Sequence, residues 1–317
     1  MIILRRIVLC GVALAALTMC SKGAQTPAPD TFLSDALKPV AAQGKLLWSP
    51  EAETADADKA ASLIEQGKTH IKITGAVTTA QIEEISGALL KAANKDQLIR
   101  LDLSASSGLA ELDRNAFRNR PNLGSIALPE GITFIERDAF LDATNLIEIS
   151  LPDSLATVNG NSFNRTGLPR IVLPAKTEWN GFRFVSSKTS CAVIFKEGRA
   201  SVKLSGFAPD SASKDTRLIF VLPSSLTEIS EVDMDTGSFV SELYCYAPRP
   251  PAYNGTVAAF PNAKTVYVPA NSVSGYKSAW QSLTSAEFKP LPAGKTEIAA
   301  WVSPPDIAEA FKAAGGK

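Results

Sequence analysis

Two consecutive segments of the chain decide its fold: LGSIALPEGITFIERDAFLDATN at residues 123–145 and LIEISLPDSLATVNGNSFNRTG at residues 146–167. Both follow the pattern L-x-x-I-x-L-P-x-x-I-x-x-I-x-x-x-A-F, with Leu, Val and Ser at three positions of the second copy. Three phenylalanines, Phe117, Phe140 and Phe163, lie 23 residues apart, so the repeat also extends backward. A period of 20–50 residues is typical of solenoids, in which each unit buries its apolar side only against its neighbours.

Each part of the repeat has a physical role. The I-x-L alternation predicts a short strand whose two apolar residues face inward. Proline then ends the strand, because it has no N–H to donate to a ladder. The following apolar pair and the A-F pair turn the chain back beneath the sheet. The sequence therefore predicts an α/β (mixed) solenoid of leucine-rich repeats of about 23 residues, with a small helix/strand N-terminal cap and an irregular insertion.

The repeat pattern also divides the chain. A solenoid needs a cap at its end, and a plausible capping box at Thr78-x-x-Gln81 opens an apolar helical face there. The segment before the cap is rich in Ala, Pro and Asp, and a small helix is expected in the tail from Asp306 to Ala314. The predicted parts are a lipoprotein-type signal peptide (1–19), a flexible tether (20–56), an N-terminal cap (57–97), the repeat domain (98–290, irregular at 175–217) and a C-terminal tail (291–317).

The N-terminus has the features of an export signal. Met1–Arg6 is short and basic, and Ile7–Met19 is uncharged, too short to cross a bilayer as a helix. Cys20 follows Leu17-Thr-Met19, which resembles a bacterial lipoprotein leader and predicts lipidation of Cys20. Ordinary signal cleavage, or an uncleaved leader with a buried cysteine, are the alternatives.

Composition excludes several classes of function. Lys+Arg and Asp+Glu both number 32, so there is no basic footprint for nucleic acid. With His70 as the one histidine, neither a zinc site nor a Ser-His-Asp site is expected, and no nucleotide-binding loop occurs. We expect no enzyme activity, cofactor or metal. Cys191 and Cys245 lie in apolar strand-like runs and are expected to be buried free thiols, although a disulfide is permitted in an exported protein.

The outward-facing residues of the strands are the candidate binding surface, expected on a concave sheet. Alignment of the repeats places Tyr244 in the column of Ile219, and Tyr246 in the column of Val221 and Tyr267. Aromatic residues are enriched at binding hot spots. The candidate ligand-binding residues are Tyr244, Tyr246, Tyr267, Val221, Ile219, Arg170, Glu148 and Arg100. Alternatively, the tyrosines stack to stabilise the sheet, or are covered by residues 175–217 or by the tail.

The L-x-x-I-x-L-P…A-F units resemble the BspA-type, or treponemal, leucine-rich repeats, and the resemblance covers roughly residues 60–290. It implies a location at the bacterial cell envelope and attachment to a host, matrix or envelope protein, and it implies no catalytic site. The sequence thus favours a lipid-anchored protein that binds a protein partner, on the cell surface or the periplasmic face. The alternative is a periplasm-facing structural or self-associating envelope protein.

Overall fold

The computed structural model describes residues 31–93, 95–180, 190–208, 216–253, 259–281 and 284–317. The leader and Cys20 lie outside these residues, so the lipidation prediction concerns a part of the chain that the structure does not describe. The described residues form a solenoid with two faces, a front sheet and a back sheet, and a shared apolar core between them. The predicted fold class is confirmed.

The front sheet consists of two parallel ladders that meet side by side. Each coil returns to the same side before its next strand begins, so every strand runs in the same direction. The first ladder contains β1 (Glu53–Ala55), β2 (His70–Ala76), β3 (Ile99–Ser107), β5 (Leu123–Ala127) and β7 (Glu148–Ser150). The second contains β9 (Arg170–Leu173), β11 (Cys191–Phe195), β13 (Leu218–Leu222), β15 (Val240–Cys245), β17 (Thr265–Val268) and β18 (Glu287–Pro290).

The back sheet is built from the shorter strands that follow the prolines of the repeat. These strands also pair in parallel, in two groups. The first group is β4 (Glu111–Leu112), β6 (Phe134–Ile135), β8 (Thr157–Asn159) and β10 (Glu178–Asn180), and the second is β12 (Ser201–Leu204), β14 (Glu228–Val232) and β16 (Ala252–Tyr253).

Helices lie mainly at the two ends of the chain. They are α1 (Thr31–Ala41), α2 (Ala57–Glu65), α3 (Thr79–Lys91), α4 (Met234–Phe239), α5 (Val273–Trp280), α6 (Ala299–Val302) and α7 (Ile307–Ala313), with a 3₁₀ turn at Ala270–Ser272. The capping box that the sequence predicts for α3 is present. The Thr78 hydroxyl accepts from the Gln81 amide, and the Gln81 side chain accepts from the Thr78 amide.

A phenylalanine spine runs through the core. The rings of Phe117 and Phe140 stack with centroids 5.5 Å apart, and all three rings from Phe117 to Phe163 are fully buried. Two residues before each ring the backbone is left-handed, at Asn115, Asp138 and Asn161, with φ of 65°, 62° and 63°. Asn and Asp tolerate this conformation better than other side chains. The turn therefore repeats with the period and aims each ring at the next.

The stretch predicted to be irregular keeps the solenoid's register. Strands β11 and β12 continue both sheets, and the coil between β11 and β13 is longer, with Val193 paired to Phe220 27 residues on. Aromatic rings fill the larger coil, with Phe207 meeting Trp179 and Phe220 edge-on at 5.3 and 5.4 Å. The sequence period is lost here because the coil is longer, while the strand ladder is not interrupted.

The prediction of a flexible tether over residues 20–56 is wrong for its described part. Leu33, Leu37 and Val40 lie on one face of α1, and this face packs against Phe311 of α7. Strand β1 pairs with β2 and extends the front sheet by one strand. The chain before the cap is therefore ordered by contacts with the other end of the molecule, which a local reading of composition does not contain.

Candidate binding surface

The front surface is the set of side chains that point outward from the front sheet. Strand alternation sends Ile126 and Phe220, for example, into the solenoid core, and their neighbours outward. The outward side chains differ between the two ladders. Those of the first ladder are polar and partly exposed, while those of the second are apolar and aromatic. We call these regions the open half and the closed half of the front surface.

The closed half is covered by the chain's own C-terminal tail. Tyr244 and Tyr246 are only 6% and 7% exposed, and Ile219 and Val221 are buried as well. They form one apolar cluster with the tail residue Trp301. The prediction that these four residues are exposed for a ligand is therefore wrong, because the tail has removed them from solvent. The alternative, in which the tail covers the tyrosines, is the arrangement found.

Trp301 is the centre of the contact between the tail and the sheet. Its indole N–H donates to the Tyr246 hydroxyl at 3.0 Å, and that hydroxyl donates to the Lys295 carbonyl at 2.6 Å. The Tyr244 ring meets the indole edge-on, with centroids 4.8 Å apart. Burial raises the pKa of Tyr246 to about 12, although the hydrogen bond from Trp301 opposes the shift. The phenol therefore remains neutral and able to donate at any physiological pH.

A cation and a second ring complete this aromatic cluster. Lys295 places Nζ 3.8 Å from the centre of the Trp301 ring and 5.6 Å from that of Tyr244. Such cation–π contacts stabilise by about 0.5–2 kcal/mol, depending on how dry the site is. On the other side, Tyr244 stacks on Tyr267 at 4.6 Å, as the stacking alternative predicts.

Arg170, another predicted site residue, also contacts the tail. Its guanidinium donates to the carbonyls of Ser303, at 3.1 Å, and Val302, at 3.3 Å. These acceptors directly follow Trp301 in the chain. The closed half therefore contacts one short tail segment through an aromatic pocket and, two residues farther on, through a charged donor to its backbone.

The register of the tyrosines differs from the predicted one. Tyr244 pairs with Val221 and Tyr267, while Glu242 is the partner of Ile219. The register shifts by one residue between Leu218 and Ile219, where β13 and β15 do not match residue for residue. An irregularity of this kind leaves no periodic signal in the sequence, so alignment by repeat length placed the tyrosines one column away.

The open half carries a small polar network. Arg100 contacts Glu148 at 3.1 Å, and the Ser125 hydroxyl donates to the same carboxylate at 2.7 Å. Trp48 lies over the Arg100 guanidinium at 5.6 Å. Both predicted site residues of this ladder are thus brought together and remain partly exposed, with side-chain exposures of 32% and 23%. The open half comprises Lys72, Arg100, Asp102, Ala127, Glu148 and Ser150.

Asp102 is held as an anion in the open half. Partial burial alone would raise its pKa, but hydrogen bonds from the Ser104 hydroxyl and amide, together with the charges of Lys72 and Arg100, lower it below its ordinary value. The open half therefore presents fixed charges of both signs.

A cavity of about 660 Å³ lies between the tail and the front sheet. Ala192 and Ile194 of β11 form part of its lining, with Trp301 on the tail side and Phe32 on the α1 side. Charged groups, among them Arg170 and Glu309, also line it. The tail thus covers the closed half without filling the space beside the indole.

Neither Trp301 nor α1 was among the sequence-predicted site residues. One signal was present: Ile298-Ala-Ala-Trp-Val302 is an apolar run in an otherwise polar tail. A buried tryptophan in such a run indicates a docking segment.

Other chemistry was sought in the part of the chain that the structure describes. His, Cys, Asp and Glu side chains there form no group of three that could hold a metal ion. No helix among the same residues is long and apolar enough to span a bilayer. Cys191 and Cys245 are free and buried, which confirms that interpretation over a disulfide.

Comparison with known proteins assigns the repeats. The family model described as BspA type leucine rich repeat region matches residues 94–189, in six copies. No curated protein matches the chain. A leucine-rich repeat protein from Bacteroides ovatus ATCC 8483 is 12% identical, with a TM-score of 0.20, over 57% of this chain and 64% of that one. The match therefore spans less than two thirds of that protein's solved chain.

A second solved structure is a leucine rich cell surface protein from Faecalibacterium prausnitzii A2-165. It is 11% identical, with a TM-score of 0.18, over 73% of this chain and 86% of that one. Through the repeats at residues 94–189, this chain belongs to the BspA-type leucine-rich repeat family.

Proposed function

We propose that this protein is an exported, lipid-anchored binding module of the bacterial cell envelope, and that the open half of its front surface holds a protein partner. The observation that carries the proposal is the contrast within one sheet. The tail closes the second ladder, while the polar side chains of the first remain accessible. Leucine-rich repeats generally serve protein–protein interaction, and solenoids provide the extended surface for it.

The charges of the open half suit a partner with complementary charges. Glu148 is already oriented by Arg100 and Ser125, so little side-chain freedom is lost when a partner binds there. Asp102 and Lys72 lie next to each other across β2 and β3. Fixed charges of both signs favour specificity and register over sheer affinity.

The anchor is the second part of the proposal. Acylation of Cys20 would leave residues 21–30 between the lipid and the start of α1. A lipidated N-terminus would hold the solenoid at a membrane surface, and adhesion to a host or matrix protein is the role we favour for it there.

Binding is tested by pull-down with the purified chain, lacking the leader, against matrix proteins and against an envelope extract. Asp102→Lys should reduce capture at least about tenfold, because it places a like charge beside Lys72 and Arg100. Glu83→Lys makes the same charge change on the exposed face of α3 and should leave capture unchanged. Equal capture by both variants would exclude the open half as the binding surface.

Orientation is tested on intact cells. Accessibility to antibody or to added protease is expected if the protein faces outward. Protection on intact cells, together with concentration-dependent self-association of the purified chain, would support the periplasm-facing structural alternative instead.

A further inference from the structure

The closed half of the front surface has the features of a peptide-binding groove that already contains a peptide. One hydroxyl, that of Tyr246, both accepts from an indole and donates to a main-chain carbonyl. Arg170 donates to two further carbonyls. Main-chain acceptors and one deeply placed aromatic anchor are the usual means by which a protein surface holds an extended segment.

The chemistry of the occupant follows from these contacts. The groove takes a tryptophan ring between Tyr244 and Tyr246, and Arg170 binds the carbonyls one and two residues after that ring. A cation six residues before the tryptophan, here Lys295, lies over the indole. The aromatic floor would be available to any segment that presents the same groups.

The contact with the resident tail is incomplete, which makes exchange physically reasonable. The cavity of about 660 Å³ beside Trp301 exposes Ala192 and Ile194 to a space that the tail does not occupy. In the core, by contrast, Phe117, Phe140 and Phe163 stack without separation beyond ring contact. The tail helix that carries Trp301, α6, has only four residues. A helix this short has little stability of its own, so the tail depends on the sheet for its order.

We propose that the closed half is a second binding site of the protein, specific for an extended peptide segment with a tryptophan anchor, and that residues 291–317 are its built-in competitor. A partner segment of this chemistry binds by displacing the tail, and the tail sets the threshold for binding. This proposal rests on the proposed function in one respect, namely that the front surface binds proteins.

The test uses the full chain and a labelled synthetic peptide with the sequence of residues 291–317. Wild type should bind the peptide weakly, because its own tail occupies the groove. A Trp301→Ala chain should bind it about tenfold more tightly or better, since a competitor that occupies the site nine-tenths of the time reduces apparent affinity by that factor. Glu297→Ala, an exposed change in the same tail, should behave as wild type.

Specificity is read from the peptide and from the groove. A peptide with Ala in place of the tryptophan should not bind the Trp301→Ala chain. Adding Tyr246→Phe to that chain should weaken binding of the original peptide, because the acceptor for the indole N–H is lost while the ring remains. Failure of the Trp301→Ala chain to bind the peptide, or equal binding of both peptides, would overturn the proposal.

A second variant covers the case in which Trp301→Ala unfolds the protein. A protease site inserted between Ala293 and Gly294, where added atoms meet open space, allows the tail to be cut in the folded chain. The labelled peptide should then replace the cut tail, and no replacement would also overturn the proposal. No partner protein enters either assay, so their outcome is independent of the pull-down that tests the open half.

Discussion

The rings of Phe140 and Phe163 stack with their centroids 5.4 Å apart and their planes 12° from parallel, and neither ring reaches solvent. Phe140→Ala would leave a cavity in the middle of this stack and should lower the free energy of unfolding by roughly 3–5 kcal/mol. Urea denaturation of the purified chain measures it. The control is Phe134→Ala in β6, a half-buried ring of the same type. If both variants lost the same stability, the ring stack would not be the central element of the core.

The buried thiols predict how stability changes with pH. Burial raises the pKa of Cys191 from 9.0 to about 12, so the folded protein keeps this thiol neutral where an unfolded chain would ionise it. The unfolded state thus binds fewer protons above pH 9, and the thiol's contribution is lost as pH rises from 9 toward 12, by up to about 1.4 kcal/mol per pH unit. The stability difference between wild type and Cys191→Ala should shrink over this range. A constant difference would contradict the burial of this group.

Two glycines predict opposite effects of the same substitution. A Cβ on Gly124 would lie 2.7 Å from the Leu98 Cβ and 3.0 Å from the Trp48 ring, so Gly124→Ala should destabilise the fold and loosen Trp48. Gly87, inside α3, has open space around it, so Gly87→Ala should stabilise by up to about 1 kcal/mol through helix propensity. Thermal unfolding of both variants gives the signs, and a neutral Gly124→Ala would mean that Trp48 does not pack against this strand.

Membrane attachment depends on one atom if the leader is a lipoprotein signal. Cys20→Ala removes the sulfur that would carry the lipid and should move the protein from the detergent phase to the aqueous phase. The matched control is Cys10→Ala, which changes a cysteine within the leader and should leave partitioning as it is. Unchanged partitioning of Cys20→Ala would show that the chain is held, or not held, at the membrane by other means.

The repeat and its spine could be predicted because they are local and periodic. Burial of Phe117, Phe140 and Phe163 follows from their equal spacing, since equivalent positions of stacked coils meet the same neighbours. The cap helix was equally readable, because Thr78 and Gln81 lie within one turn of it. Such features repeat a rule within a few residues or a fixed period.

The covering of the front surface could not be predicted in this way. Trp301 meets Tyr246 across 55 residues of sequence, and α1 meets α7 across nearly the whole chain. Periodicity has no information about which distant segment lies on a surface. The outward tyrosines were correctly identified as an unusual surface, but an apolar patch is satisfied equally by a partner or by the chain itself.

The contact between α1 and α7 has a consequence for how the molecule unfolds. The Leu47 amide donates to the Lys317 carbonyl at 3.3 Å, so the first ordered segment and the last residue of the chain touch. A solenoid with separate ends behaves as a one-dimensional array, in which terminal coils fray independently. Here the two ends are joined across the strands, and the array is closed on itself. Loss of either terminal segment exposes the other, which should merge what would be stepwise fraying into one cooperative transition.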